Sequence, residues 1–168
     1  MLIWLGIIVG TLVGLILLIS AAGAMLPRAH VARVEALLSA PPARVAAMVR
    51  DVEAQPRWRR GVTAIEVVER RADGLLYIER QGRQPILFDF AETVPDTRFV
   101  GTIADPKLPF GGTWTFALTP EGAGTRLGIE EDGEVRNPAF RFLAKFVFGH
   151  EATMRRYLAD LERALAAT

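Results

Sequence analysis

The chain has 168 residues, enough for one domain with a substantial core plus an additional segment. Its formal net charge of +1 gives no reason to expect nucleic acid as a partner. Because the chain has no cysteine, disulfides, thiol catalysis and Cys-ligated metals are excluded. Its two histidines, His30 and His150, lie far apart in sequence and do not suggest a metal site. No cofactor-binding motif is present, because the paired glycines around 111 and 123 are typical of turns.

The N-terminal segment is strongly apolar. Residues 2–26 contain no Asp, Glu, Lys, Arg or His, and such a run can cross a hydrocarbon layer roughly 30 Å thick. We predict a transmembrane anchor over residues 1–27, with Trp4 near one interface. A cleavable signal peptide is the alternative, because Ala21–Ala24 would serve as a small-residue cleavage site. Against it, no basic residue precedes the run, and the run is longer than the apolar region of a usual signal peptide.

Two further features of this segment concern its orientation and partners. Arg28 and Arg33 follow the apolar run and no basic residue precedes it, so the positive-inside tendency predicts a single-pass protein with a cytoplasmic domain. Gly6, Gly10 and Gly14 are spaced four apart, which would allow two such helices to pack closely as a homodimer. Glycines are common in membrane helices, so coincidence explains this spacing equally well.

Residues 28–168 have the pattern of one α+β domain. From His30 to Leu38 apolar residues alternate with polar ones, which predicts a half-buried strand. Pro41-Pro42 ends this strand and opens a short helix, and a second short helix or turn follows over residues 53–58. Six strands come next, separated by short turns that imply an antiparallel meander: residues 62–69, 75–80, 86–94, 98–104, 113–119 and 125–135. One of these turns is Gln81-Gly82-Arg83.

The last stretch of the chain predicts one long helix over residues 137–166. Asn137-Pro138 is a helix-start signal, and apolar residues then recur every three, four or seven positions. A curved seven-stranded sheet wrapped around this helix would bury both apolar faces and could leave a cavity between them. Extra aromatic residues and Gly149 make the half from Phe140 to Met154 the expected binding region, and the half from Tyr157 to Leu165 reads as plain packing.

Several motifs in this order resemble the START/polyketide-cyclase superfamily (SRPBCC), which has a helix-grip fold. The resemblance covers Val31 to Ala164, and its matching residues are Ala40-Pro41-Pro42-Ala43-Arg44-Val45, Asp51, Trp58, Leu118-Thr119-Pro120, Gly124-Thr125-Arg126-Leu127 and Tyr157-Leu158-Ala159-Asp160-Leu161. It implies binding of an apolar ligand under the long helix, and some members cyclise or dehydrate their ligands.

The resulting functional prediction is membrane-anchored binding, and possible transport or presentation, of an apolar small molecule such as a lipid. A cyclase or dehydratase and a non-catalytic accessory domain with a filled core are the alternatives. The predicted ligand contacts lie on the helix and on the facing sheet: Phe140, Leu143, Val147, His150 and Met154, with Phe88, Trp114 and Phe116.

An enzyme of this type needs acid–base groups in the cavity. The candidates are His150, Asp89 and Tyr77, with Glu131 as a fourth. Three of them also have a structural interpretation. His150 lies near the apolar stripe and suits a hydrogen-bonded core histidine, and Asp89 lies out of register with neighbouring phenylalanines and suits solvent. Glu131 shares the register of its apolar neighbours but suits a solvated acidic turn near a strand end.

Two other stretches suggest surface contacts. Arg57-Trp58-Arg59-Arg60 would suit anionic headgroups, or would be a buried Trp58 flanked by solvated arginines. Leu108-Pro109-Phe110 offers apolar side chains between turn formers, as a lid over a cavity or a membrane-facing loop would. Packing of Leu108 and Phe110 into the core is the equal alternative.

Overall fold

A computed structural model describes residues 2–82 and 84–167. Arg83, in the predicted turn, and the terminal residues Met1 and Thr168 lie outside the described residues. The helices are α1 (Leu2–Ala24), α2 (Pro42–Arg50), α3 (Gln55–Trp58), α4 (Pro138–Leu143) and α5 (Ala152–Ala166), with a 3₁₀ turn at Val52–Ala54 and a π-helical turn at Ala144–Phe148. The strands are β1 (Ala29–Leu38), β2 (Val62–Arg70), β3 (Gly74–Gln81), β4 (Gln84–Val94), β5 (Arg98–Ile103), β6 (Phe110–Glu121) and β7 (Gly124–Val135).

The seven strands form one antiparallel sheet in the order β1-β7-β6-β5-β4-β3-β2. Strands β2 to β7 follow one another as a meander, and β1 closes the order by pairing with β7. Since β1 and β2 are consecutive in sequence but lie at opposite edges, α2 and α3 cross from one edge to the other. The predicted α+β class, strand number and element order are therefore confirmed.

One face of the sheet carries the core. Along β1 the even-numbered residues from His30 to Leu38 are shielded and the odd-numbered ones are exposed, as the alternation predicted. The same alternation on the other strands turns Tyr77, Phe90, Phe99 and Phe116 inward, and all four are at most 5% exposed. These side chains pack against α2 and α5, which supply Val45, Val49, Met154, Leu158 and Leu161.

A buried carboxylate fixes α5 against the rest of the domain. Asp160 is 1% exposed and accepts hydrogen bonds from the Arg60 amide at 2.8 Å, from Arg60 Nε at 2.7 Å and from Arg163 Nη2 at 2.9 Å. Burial alone would raise the pKa of Asp160, but these hydrogen bonds outweigh it and hold the pKa below its ordinary value. The charged carboxylate therefore joins α5 to the segment between α3 and β2.

The single helix predicted over residues 137–166 is wrong, because the chain breaks at Gly149. Asn137 does cap α4, accepting a hydrogen bond from the Phe140 amide at 3.1 Å. The next turn is π-helical and closes with the Gly149 amide donating to the Ala144 carbonyl at 3.0 Å. Gly149 then adopts φ +74°, in the left-handed region that glycine favours, and α5 starts only at Ala152.

Helix α1 projects from the domain and meets it through α4. Its residues from Ile3 to Ala24 are long and apolar enough to cross a membrane, a criterion that a signal sequence would also meet. Its C-terminal end touches α4 closely, since a Cβ at Gly23 would overlap the backbone of Pro138. Arg141, 7% exposed, donates from Nη1 to the Leu26 carbonyl at 2.7 Å. The end of α1 is thus held against α4 by direct hydrogen bonding and close packing.

Candidate functional site

The concave face of the sheet and the N-terminal end of α5 enclose a cavity of about 360 Å³. Every strand except β2 contributes to its wall. Among the predicted ligand contacts, Phe88, Trp114, Phe116 and His150 line this cavity, as do Tyr77 and Phe110. The space under the helix is therefore not filled by phenylalanines, which disagrees with the filled-core alternative.

Four of the predicted ligand contacts lie elsewhere. Phe140, 50% exposed, Leu143 and Val147, 61% exposed, belong to α4 and the π turn, which the break at Gly149 carries away from the cavity. Met154 is fully buried in the core beneath α5 and does not reach the cavity wall. Tyr157 differs in the opposite sense: it belongs to the half of the terminal helix that was predicted only to pack against the core, yet it lines the cavity.

Aromatic rings form the apolar wall. The Tyr77 and Phe88 rings stack with centroids 5.5 Å apart, and Trp114 meets Tyr157 edge-on at 6.1 Å. Tyr157 also touches the rings of Phe116 at 5.3 Å and Trp58 at 5.3 Å. These contacts hold the rings in fixed positions, so the apolar wall is preformed rather than assembled around a ligand.

A polar cluster occupies one part of the wall. Arg59 Nη1 lies 2.7 Å from Glu79 Oε2, and the two side chains are 13% and 2% exposed. Arg59 Nη1 also donates a hydrogen bond to Gln55 Oε1, and the side-chain amide of Gln81 donates one to Glu79 Oε1. All four residues line the cavity. The cluster therefore places a satisfied ion pair, shielded from bulk water, next to the aromatic wall.

This cluster decides between the two interpretations of Arg57-Trp58-Arg59-Arg60. Trp58 packs against the core and Arg60 pairs with Asp160, so neither is arranged as a headgroup contact. The alternative of a buried Trp58 flanked by solvated arginines is closer to the structure. It is wrong for Arg59, however, because that side chain is not solvated. The Arg59 guanidinium lies inside, 5.2 Å from the centre of the Tyr157 ring.

Two phenol groups face this part of the cavity. Burial raises the pKa of Tyr77 and of Tyr157, so both hydroxyls keep their protons at physiological pH and can donate hydrogen bonds. Among the described residues, the Tyr157 hydroxyl has no hydrogen-bond partner, although the residue is only 3% exposed. The hydroxyl oxygen itself is buried, so it lies within the wall rather than at the cavity surface.

Two histidines and a glutamate form a second polar group in the wall. The His30 and His150 rings stack with centroids 3.7 Å apart, and His30 Nε2 lies 3.3 Å from Glu131 Oε1. Gly133 makes room for this arrangement, because a Cβ there would come within 2.6 Å of the His30 ring. The structural interpretation of Glu131 as a solvated turn residue is wrong, because Glu131 lies within β7 and faces the cavity.

The stacked pair makes stability depend on pH. Burial, followed by the charge of His30, lowers the pKa of His150 below its ordinary value of 6.5. The unfolded chain therefore binds more protons than the folded one as pH falls through this range, and stability declines. We expect a His150→Gln variant to lose less stability than the parent chain between pH 7.5 and 5.5, measured by urea unfolding in detergent. An equal loss of stability in both proteins would show that His150 is not the source of this pH dependence.

The remaining predicted site residues have other roles. Asp89 points away from the cavity and forms an ion pair with Arg71, so it is not placed for catalysis inside the cavity. Leu108 is 7% exposed and buried, which is wrong for a lid residue, and Arg136 Nη1 holds its carbonyl at 2.8 Å. Within residues 2–82 and 84–167, no group of three His, Asp or Glu residues is arranged to hold a metal ion.

Comparison with known proteins agrees with this architecture. A family model described as polyketide cyclase / dehydrase and lipid transport matches residues 29–166. No curated protein matches the chain.

Solved structures share the fold over most of the chain. A START superfamily protein from Mycobacterium smegmatis has a TM-score of 0.65 and 19% identity, covering 84% of this chain and 100% of its own. The protein TTHA0849 from Thermus thermophilus has a TM-score of 0.65 and 26% identity, with coverages of 83% and 99%. Norcoclaurine synthase from Thalictrum flavum has a TM-score of 0.66 at 8% identity, with coverages of 83% and 88%. Because the family model spans most of the chain, the protein belongs to the polyketide cyclase / dehydrase and lipid transport family.

Proposed function

We propose that this protein binds an amphipathic small molecule, of lipid or isoprenoid type, in the cavity between the sheet and α5. The observation that carries the proposal is a preformed cavity with an aromatic wall and a buried polar cluster. Its volume of about 360 Å³ lies in the range of sites that take small molecules. Burial of the ligand's apolar surface would contribute about 25 cal/mol per Å² before the costs of association.

The polar cluster supports a ligand with one polar end. The Tyr157 hydroxyl is a buried donor without a partner among the described residues, and the Arg59–Glu79 pair lies beside its ring. A hydroxyl or carbonyl oxygen at the polar end of the ligand would accept a hydrogen bond from the Arg59 guanidinium, whose side chain is 13% exposed in the cavity wall. The apolar body of the ligand would then lie against Phe88, Trp114 and Phe116.

We further propose that α1 stays in the chain as a membrane anchor and holds the cavity beside the bilayer. Its length and composition support this, and its firm contact with α4 would fix the domain relative to the anchor. The cytoplasmic orientation suggested by Arg28 and Arg33 remains a prediction. Dimerisation through Gly6, Gly10 and Gly14 also remains a prediction. A Cβ built at any of these glycines would meet no atom within 4 Å, so within the chain this face of α1 is open.

Mass spectrometry tests the binding proposal directly. The full chain is purified from membranes, exchanged into nanodiscs of one synthetic lipid, and extracted with organic solvent. We expect a stoichiometric compound other than the nanodisc lipid, with an apolar body and one polar group. Protein that carries no compound, and that takes up none from a total lipid extract, would contradict the proposal.

Filling the cavity should abolish binding without unfolding the domain. Gly101 lines the cavity, and a Cβ there would meet only the Phe90 ring, at an ordinary 3.6 Å. We expect Gly101→Leu to reduce the extracted compound at least about tenfold, which corresponds to about 1.4 kcal/mol. Gly128→Leu is the matched control, because Gly128 is also within the sheet but its nearest atoms belong to the Glu35 side chain on the outer face. Equal losses in the two variants would contradict a cavity site.

A second candidate function is proton transfer to the bound molecule. The observation that favours it is the Glu131–His30–His150 group in the cavity wall. The lowered pKa of His150 keeps its imidazole neutral at pH 7, and a neutral imidazole can accept a proton. His150→Ala that keeps the ligand but loses its turnover would support this function. Extraction of only one unaltered compound from parent and variant would count against it.

A further inference from the structure

Four large apolar side chains stand out of α4 and the π turn. Phe140, Phe146, Val147 and Phe148 are 50%, 60%, 61% and 63% exposed, and together we call them the aromatic patch. Three of them are consecutive, so they point in different directions around the π turn, and the turn must protrude to expose them all. Exposed apolar side chains clustered along one short segment are typical of a surface that contacts a partner or a membrane.

The aromatic patch begins next to the C-terminal end of α1. Helix α4 is held to the end of α1 by the Arg141–Leu26 hydrogen bond and by the close approach of Gly23 to Pro138. On the other side, the Val135 amide at the end of β7 donates to the Arg28 carbonyl at 2.9 Å. These contacts place α4, which carries Phe140, beside the end of the apolar span, and the π turn follows α4 directly in the chain. If α1 spans the membrane, the patch therefore begins at the bilayer boundary.

The charges around the patch suit the same environment. Residues 137–150 contain no Asp or Glu, and Lys145 is an exposed cation within the π turn. The Lys145 ammonium lies 5.5 Å from the centre of the Phe146 ring, and Arg28 is exposed at the end of α1. Aromatic rings with nearby cations are favoured at the membrane interface, where a basic residue near anionic headgroups contributes about 1 kcal/mol.

We propose that the aromatic patch inserts into the headgroup–acyl boundary of the leaflet from which α1 emerges. This proposal rests on the membrane anchoring proposed above, and it adds a second contact between the domain and the bilayer. Phe148 is followed directly by Gly149, which is exposed and also lines the cavity. The inserted patch therefore places that rim of the cavity at the lipid surface, so that a ligand enters from the bilayer rather than through water.

Site-directed spin labelling tests the insertion, and the absence of native cysteine makes single labels unambiguous. Val147→Cys and Phe148→Cys carry the label within the patch. Val68→Cys, 54% exposed on the edge strand β2, is the aqueous control, and Leu12→Cys, 54% exposed on α1, is the membrane control. The full chain is reconstituted into vesicles of phosphatidylcholine and phosphatidylglycerol. Collision rates with oxygen and with a water-soluble nickel complex are then measured.

We expect the two patch labels to shift from the aqueous depth parameter of Val68 towards that of Leu12. Patch labels with the value of Val68, while Leu12 lies in the bilayer, would overturn this inference alone. An aqueous Leu12 would overturn the membrane anchor and this inference together. Labels shielded from both collision partners, with dipolar broadening between chains, would identify a second copy as the occupant and would also overturn it.

Discussion

Replacing Arg59 by methionine is expected to destabilise the folded domain by about 3–5 kcal/mol, because the change leaves a buried charge without its partner. Glu79 is 2% exposed, and among the described residues only the side-chain amide of Gln81 would remain as a donor to its carboxylate without Arg59. Methionine keeps much of the length and apolar volume of the arginine stem. The loss therefore reports the charge rather than a cavity. Urea unfolding of detergent-solubilised protein, followed by tryptophan fluorescence, measures it.

Two further variants separate this explanation from a general effect of losing arginine. Arg57→Met removes an exposed arginine two residues away and should change stability by no more than about 0.5 kcal/mol. Adding Glu79→Met to Arg59→Met should recover most of the loss, because a buried ion pair replaced by apolar residues is often neutral. A double variant as unstable as the sum of the two single variants would show that the pair is not coupled.

Met154→Ala is expected to cost about 2–5 kcal/mol of stability and to leave ligand binding intact in the folded fraction. The sequence pattern placed Met154 in the binding site, but its side chain is fully buried in the core below α5. Truncation would remove its core contacts and leave a cavity away from the ligand. The unfolding measurement used for Arg59 gives the loss, and extraction with mass spectrometry gives the occupancy.

The control for this variant removes a similar group where nothing packs on it. Val68 is 54% exposed on the outer side of β2, so Val68→Ala should change stability by no more than about 0.5 kcal/mol. If Met154→Ala lost the extracted compound while its stability equalled that of Val68→Ala, Met154 would belong to the site and the assignment to the core would be wrong.

The sheet was predictable because its signal is local. Alternation along β1 and the register of Trp114 and Phe116 depend only on the period of two, and the structure follows both. The break in the terminal helix was not predicted, although Gly149 was visible in the sequence. A glycine in a helix is tolerated at a cost of about 1 kcal/mol, so the residue alone does not distinguish a continuous helix from a break.

The site was predictable only where it follows from the strands. Phe88 was predicted to face the space under the helix and does line the cavity, whereas Glu79 was missed although it shares the inward register of Tyr77. Arg59 could not be found in this way, because its direction depends on how the short helix α3 packs against α5. The pairing of His30 with His150 likewise depends on where α5 starts after Gly149, which no pattern within either segment specifies.

The short connection between α1 and β1 limits how far the domain can reach. Only residues 25–28 separate Ala24 from Ala29, and four extended residues span at most about 14 Å. A domain of this size has a radius of gyration of about 14 Å. With α1 in a bilayer, the cavity would thus search a thin layer along one membrane and would meet its ligand by lateral diffusion. Exchange with a second membrane would require the two bilayers to come within roughly one domain diameter. If α1 is the membrane anchor proposed above, this short connection would favour transfer of the ligand to neighbours in the same membrane over transport between distant compartments.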